Sequence, residues 1–202
     1  NLTAPDAADA YVGACAYTKS AGLCPETPAE ESFVVKTQGG KLFIFGQDAP
    51  GAPFSSSTAT GTLYGVYDFI ENELGAIWIW PGESGEFLPR RDGLHLPALD
   101  RRQQPRFIIR EMIFGYLKYE PKPFNDALGP WRKRMKLSWV PKAWFGHSWG
   151  THLLGNKAVV EAHPDWLALY GGMRRGPHLC TSNQALRDYI VDSVIADADT
   201  KK

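Results

Sequence analysis

Arg110 is the residue whose type and position best suggest ligand binding. It ends the apolar run PRFIIR at residues 105–110, which predicts a buried strand. A guanidinium group offers five N–H donors in a fixed fork, and that fork matches vicinal hydroxyls or a uronate carboxylate. Barrel enzymes place their sites at the carboxyl ends of strands, so an arginine there suits binding. The alternative is a structural arginine that pairs with Glu111 or with a later carboxylate.

A serine between two glycines suggests a second kind of chemistry. Residues 146–150 read Gly-His-Ser-Trp-Gly and match the pattern of a nucleophile elbow. The elbow needs a strand before it and a helix after it, and residues 151–155 could begin that helix. In α/β-hydrolases the acid and the histidine follow far downstream, whereas only 52 residues follow Gly150. A serine hydrolase that uses Ser148 is therefore a weaker alternative.

Other common catalytic patterns do not occur in the sequence. It contains no glycine-rich phosphate loop, no His-Glu-x-x-His and no Cys-x-x-Cys. We therefore predict neither a cofactor nor a metal. The three cysteines form no closed disulfide framework because their number is odd, although Cys15 and Cys24 could pair.

The composition indicates a globular protein with a real core, since 44% of the residues are apolar. Lys and Arg total 22 and so do Asp and Glu, a balance that argues against nucleic acid or an anionic membrane surface as the main partner. The chain carries 7 Trp, 8 Tyr and 10 Phe, which suit a core of large residues or a cleft that stacks sugar rings. No apolar run is long enough to span a membrane, and no signal peptide is visible in this sequence.

The clearest element is a helix predicted for residues 61–74. Its apolar residues recur at spacings of three and four, and Gly75 suits a left-handed C-terminal position. Thr60 or Thr62 suits the N-terminal cap. The apolar run AIWIW at residues 76–80 then predicts a strand.

The remaining pattern predicts two structural units. In the first, residues 6–18 predict an Ala-rich helix and residues 32–45 predict a β-hairpin that turns at Gly39-Gly40. The polar stretch at residues 98–105 predicts a linker. After it we expect strands at 107–114 and 139–145 and helices at 125–137, 157–170 (interrupted near Pro164) and 183–196. That alternation favours a parallel sheet or barrel. The basic run at residues 132–136 is interpreted as a solvated helix face.

Several phrases together resemble a group of bacterial glycoside hydrolases. They are GTLYGVYDFIENELG with its aromatic strand, GEFLP at 85–89, HPDWLAL at 163–169, GGMRR at 171–175 and HLCTSNQ at 178–184. This group was long described as a domain of unknown function and includes glycoside hydrolase family 163. A similar small α/β domain precedes the catalytic barrel of family 20 hexosaminidases and family 67 α-glucuronidases.

The resemblance implies an α/β chain. It implies a hexosaminidase-like N-terminal α+β domain at residues 1–104 and the first βα units of a TIM-type barrel at residues 105–202. A full barrel takes about 250 residues, so we expect the catalytic carboxylates beyond residue 202. The remaining strands would come from the same or another chain.

The resemblance also implies a function. The chain would be the N-terminal portion of a glycoside hydrolase that acts on complex glycans, including those that contain N-acetylglucosamine, in a secreted, periplasmic or cell-surface location. In family 20 a similar Pro-Arg-Phe-x-x-Arg phrase ends in an arginine that binds sugar hydroxyls, which implies this role for Arg110. His147, Trp149 and Trp144 would line the same mouth. A non-catalytic carbohydrate-binding or interaction module is the alternative.

Overall fold

The chain divides into two compact units, Asn1–Pro141 and Lys142–Lys202. A computed structural model describes residues 9–15, 18–19, 22–23, 29–107, 109–112, 121–139 and 150–199. These residues form helices and several small sheets, which confirms a mixed α/β class at this level. None of the helices within the described ranges is long and apolar enough to cross a membrane.

The first unit contains eight described strands and two described α-helices. The strands are β1 (Ala10–Val12), β2 (Phe33–Gln38), β3 (Lys41–Gly46), β4 (Ile77–Trp78), β5 (Glu86–Phe87), β6 (Asp100–Gln103), β7 (Ile109–Arg110) and β8 (Ser138–Trp139). The helices are α1 (Gly61–Leu74) and α2 (Lys122–Arg134). Four of the strands form one sheet in the order β1-β3-β2-β6, and the others form the pairs β4-β5 and β7-β8.

The predicted hairpin is confirmed as β2 and β3. Their register places Val35 opposite Ile44, and Gly39 and Gly40 both have positive φ in the turn. On one face of the sheet, Val35 and Ile44 pack in a core with Tyr64 of α1. The alternation of side chains along a strand therefore gives this unit a helix-covered face and a second buried face.

Helix α1 begins and ends where the sequence predicts. Thr60 is the N-cap residue but makes no side-chain cap hydrogen bond. The Thr62 hydroxyl instead accepts a hydrogen bond from the Gly46 amide at 3.0 Å, which joins the helix start to the end of β3. Gly75 closes the helix in the left-handed conformation at φ 77°.

The helix predicted for residues 6–18 is wrong over part of its length. Ala10–Val12 is strand β1, which runs parallel to β3. Tyr11 is buried and stacks on Phe43 with ring centroids 5.3 Å apart. Tertiary packing of this aromatic pair thus overrides the helix propensity of the surrounding alanines.

The linker predicted at residues 98–105 is in part a strand. Asp100–Gln103 is β6, an edge strand that pairs antiparallel with β2. The segment looks like a linker because edge strands are commonly charged, which discourages pairing with other chains. The two compact units of the structure divide after Pro141, and the predicted division at residue 104 stays a prediction.

The described strands after β6 are antiparallel where the sequence predicts a parallel array. β7 pairs antiparallel with β8, with Ile109 opposite Trp139. Helix α2 lies between them in sequence, so the chain returns against β7 in the opposite direction. Residues 108, 113–114 and 140–145 of the two predicted strands lie outside the described ranges.

The second unit combines helices with one hairpin. Its elements are a π-helical turn (Gly150–Leu154), α3 (Lys157–Ala162), a 3₁₀ turn (Pro164–Trp166), β9 (Leu167–Tyr170), β10 (Met173–Leu179) and α4 (Gln184–Asp199). Leu153, Trp166, Leu179 and Leu186 form its core. The predicted final helix is confirmed as α4.

The helix predicted for residues 157–170 is correct only in its first half. It ends at Ala162, and Leu167–Tyr170 is a strand paired with β10. The turn between the strands consists of Gly171 and Gly172, which have φ 58° and 79°. Two consecutive glycines at positive φ are typical of a tight hairpin turn, which explains the change from helix to strand.

Candidate functional site

A cleft of about 220 Å³ in the first unit lies beside the end of β7. It draws its lining from sequence-distant segments: Glu31 and Phe33, Tyr64, residues 103–105, Arg110 and residues 135–137. Most of these side chains are polar or aromatic. The surface that they expose to the cleft is mostly apolar, with a smaller share of hydrogen-bonding groups.

Arg110 is the last residue of β7 and borders the cleft. Its Nη2 donates to Oε2 of Glu31 at 2.6 Å, its Nη1 donates to the Phe107 carbonyl at 2.7 Å, and its Nε donates to the Lys136 carbonyl at 3.0 Å. The carboxylate partner therefore precedes Arg110 by 79 residues and is neither Glu111 nor a later acid. These contacts fix the guanidinium and use three of its five N–H groups.

Glu31 is buried and sits in an uncommon backbone conformation. Only 3% of it is exposed, and its φ is 59°. A residue other than glycine in this left-handed region costs on the order of 1–3 kcal/mol, and such residues cluster at functional sites. The surrounding contacts hold Glu31 there, because its Oε1 accepts from the Tyr64 hydroxyl at 3.1 Å while Oε2 accepts from Arg110.

Tyr64 links Glu31 to a buried lysine. Lys133 is 0% exposed, and its Nζ lies 2.8 Å from the Thr58 carbonyl and 3.4 Å from the Tyr64 hydroxyl. Burial raises the pKa of Tyr64 to about 12, and the negative charge of Glu31 acts in the same direction. Burial lowers the pKa of Lys133, an effect that the charge of Glu31 opposes.

The basic run on α2 is not a solvated face, so that interpretation is wrong. Lys133 is buried, Arg132 lies 3.0 Å from Glu111 and Arg134 pairs with Glu86. Just after the helix, Lys136 Nζ lies 2.6 Å from Glu71 Oε2. Each cation thus meets a carboxylate or carbonyl that is distant in sequence, and a local pattern of charges does not show such partners.

Residues 80–202, more than half of the chain, match the family described as Domain of unknown function (DUF4838). The chain belongs to the DUF4838 family. No curated protein and no solved structure matches it.

The DUF4838 match begins within the first unit and continues through the second. It includes Arg110 and Lys133 but neither Glu31 nor Tyr64. The network of Glu31, Tyr64, Arg110 and Lys133 therefore combines residues that precede the matched segment with residues inside it. Residues that precede the DUF4838 segment position its arginine.

A second charged cluster lies between α1 and the edge strand β6. Arg101 donates to Asp68 at 2.9 Å and to Glu73 at 2.6 Å, and Asp68 is buried. Gln103, which also lines the cleft, has its side-chain nitrogen 3.3 Å from Asp68. This contact between Gln103 and Asp68 joins one wall of the cleft to α1, the helix that carries Tyr64.

Only one of the predicted sugar-binding residues of this DUF4838 chain can be placed. Trp144, His147 and Trp149 lie outside the described residues, as does Ser148 of the proposed elbow. The residues that follow the elbow form a five-residue π-helical turn, Gly150–Leu154. In that turn His152 is buried, with its Nδ1 3.2 Å from the Ser193 hydroxyl of α4.

Sequence reasoning missed Glu31, Tyr64 and Lys133. The helical spacing of α1 could have shown that Tyr64 faces the sheet. No local pattern shows that its hydroxyl forms hydrogen bonds with distant residues. Among the described residues, no group of three or more His, Cys, Asp and Glu side chains is arranged to hold a metal ion.

Proposed function

We propose that this chain is the N-terminal portion of a glycoside hydrolase that acts on complex glycans, including glycans that contain N-acetylglucosamine. In this proposal residues 1–104 are a hexosaminidase-like domain and residues 105–202 begin a TIM-type barrel. The substrate is a glycan or polysaccharide, and the enzyme works outside the cytoplasm or at the cell surface.

The observation that carries the proposal is the position of Arg110. It ends β7 and borders a cleft that also contains amide, phenol and carboxylate groups. Guanidinium and amide donors beside carboxylate acceptors are the groups that bind sugar hydroxyls. The sugar-binding role predicted for Trp144, His147 and Trp149 stays a prediction.

The catalytic carboxylates are supplied by another part of the enzyme. Glycosidases need two carboxyl groups that flank the scissile bond, or one with help from the substrate acetamide. The carboxylate that borders the cleft, Glu31, is buried and paired with Arg110. Glu71 is paired with Lys136. Both act as structural counter-ions, so neither is a candidate for general acid.

The test uses the enzyme that carries this chain and a mixture of released N-glycans. We expect hydrolysis, and we expect the Arg110→Lys variant to weaken glycan binding while its melting temperature stays near that of the parent. Lysine keeps the charge opposite Glu31 but loses the planar fork. Normal glycan binding by the variant, or unfolding as its main effect, would leave Arg110 with a structural role only.

The ion pairing of Glu31 also favours a second candidate, a non-catalytic carbohydrate-binding module. Such a module needs the hydroxyl-binding groups of the cleft but no free carboxylate. Binding of glycans without release of any sugar would support the module over the hydrolase. The serine-hydrolase alternative at Ser148 is tested by labelling with a fluorophosphonate probe, because only an activated serine reacts.

A further inference from the structure

Both cationic side chains at the cleft already have a carboxylate partner. Arg110 is paired with Glu31 and Lys136 is paired with Glu71, each at 2.6 Å. An uncompensated cation would attract an anionic ligand, whereas these two pairs cancel their charges within the protein. The charge of the cleft is therefore set by residues that the sequence places far from Arg110.

We propose that Glu31 makes this cleft selective for an uncharged sugar ring over the corresponding uronate. The inference rests on the proposed function, in which Arg110 binds sugar, and it narrows the ligand of that site. The fork of Arg110 suits hydroxyls and a carboxylate alike, so its partner decides between them. Glu31 already occupies the position that a ligand carboxylate would take on Nη2.

The position of Glu31 is fixed by contacts on both carboxylate oxygens. Arg110 donates to Oε2, and the Tyr64 hydroxyl lies 3.1 Å from Oε1, although its single proton is shared with the Leu137 carbonyl at 2.9 Å. The backbone of Glu31 is held at φ 59°. The side chain has little freedom to move aside for a competing anion. A second carboxylate in the same partly desolvated cleft would face a like charge, which costs several kcal/mol at a binding site.

The groups that remain suit hydroxyls. Two of the five N–H groups of Arg110 are not used by contacts to described residues. The side chains of Gln103 and Gln104 add amide donors and acceptors, and Phe33 adds an apolar face. At about 220 Å³ the cleft is smaller than the roughly 300–1,000 Å³ of drug-sized sites, so it matches a single ring.

The experiment measures equilibrium binding of glucose and of glucuronate to the full chain by titration calorimetry. These probes differ only by the carboxylate at one carbon. We expect glucose to bind at least about tenfold more tightly than glucuronate. Equal or tighter binding of glucuronate to the unaltered chain would overturn the inference, as would the absence of binding of either sugar.

The Glu31→Gln variant removes the charge but keeps the size of the side chain. We expect the preference to reverse, with glucuronate gaining affinity in a salt-sensitive manner because Arg110 is now uncompensated. The matched control is Glu111→Gln, since Glu111 is paired with Arg132 and does not line the cleft. An unchanged glucose preference in Glu31→Gln would overturn the role of Glu31.

A second variant covers the case in which Glu31→Gln fails to fold. The double variant Glu31→Gln/Arg110→Gln removes both charges of the pair and should bind the two sugars with similar affinity. Persistence of a glucose preference in it would contradict the inference. Hydrolysis of glycans by the enzyme is measured separately, so an active enzyme with an unchanged preference refutes the role of Glu31 and leaves the proposed function standing.

Discussion

The two units of the chain use charged residues in opposite ways. In Asn1–Pro141, Glu31, Asp68 and Lys133 are buried and bonded to partners from distant segments. In Lys142–Lys202, none of the described Asp, Glu, Lys or Arg side chains is buried. Large apolar residues are exposed in both units, for example Ile79 in the first and Leu169 in the second.

This contrast shows what specifies each unit. The ion pairs of the first unit join segments up to 79 residues apart, so they select one tertiary arrangement of helices and strands. The second unit relies on a small apolar cluster and on local contacts, such as the bond from Arg187 to the Thr181 carbonyl. Removing one of these buried charges should therefore matter greatly in the first unit, whereas removing an exposed charge of the second unit should matter little.

The largest effect is expected for Glu31→Ala. This change leaves Arg110, whose side chain is 19% exposed, without its counter-ion. Breaking a fully buried pair typically costs about 3–5 kcal/mol of unfolding free energy, and that range is the upper limit here. Urea unfolding followed by tryptophan fluorescence measures the loss. Arg187→Ala in α4 is the control, and it should cost less than about 0.5 kcal/mol because its side chain is exposed. Similar losses in the two variants would show that the contrast between the units is wrong.

The next largest effect is the pH dependence that Tyr64 gives the first unit. Its folded pKa of about 12 lies above the ordinary value of 10, so the folded protein keeps a proton that the unfolded chain releases between these values. Its contribution is fully present below pH 10 and is lost as the pH rises toward 12. The shift corresponds to roughly 2–3 kcal/mol.

Tyr64→Phe removes this titration and provides the comparison. The difference in unfolding free energy between parent and variant should shrink steadily from pH 10 to pH 12. Parallel curves across that range would mean that Tyr64 titrates normally and that the Glu31-Tyr64 contact does not perturb it.

Each unit contains one hairpin whose turn is a Gly-Gly pair, so the same substitution can be made in both units. Gly40 and Gly172 have φ 74° and 79°, and an added Cβ would meet nothing within 4 Å at either position. Alanine at each site should thus cost only the conformational term, about 1–2 kcal/mol. Asparagine tolerates this conformation and should cost less at both sites. A much larger loss for Gly40→Ala than for Gly172→Ala would indicate that the turns are not equivalent.

These turns also show how far the sequence predicts the fold. The first hairpin was predicted because its strands carry buried apolar residues such as Val35 and Phe43 beside the glycines. The second has the same turn, but nearly all of β10 is exposed and its sequence reads MRRGPHL, so no alternation marks it as a strand. Helix α1 was predicted because its spacing and its closing Gly75 are both local features.

The candidate site was predictable only in part, for the same reason. Arg110 could be identified because it ends an apolar run. Glu31 could not, since no local pattern shows that a chain segment 79 residues earlier folds against β7. The lysines and arginines of α2 looked solvated because a sequence shows charge but not the distant carboxylates that neutralise it.

The smallest effect is expected for Lys122→Ala, which removes the one kind of ion pair that the sequence does reveal. Lys122 bonds to Asp126 four residues later on α2, and both side chains are largely exposed. Pairs of this type contribute about 0.3–0.5 kcal/mol because water and salt screen them. Urea unfolding in low salt and in about 0.5 M salt, roughly three times physiological ionic strength, should show that small loss and its disappearance. A loss above about 1 kcal/mol would show that Lys122 stabilises the fold as much as a buried charge of the first unit does. Solvent exposure would then not distinguish ion pairs that stabilise the fold strongly from ion pairs that contribute little.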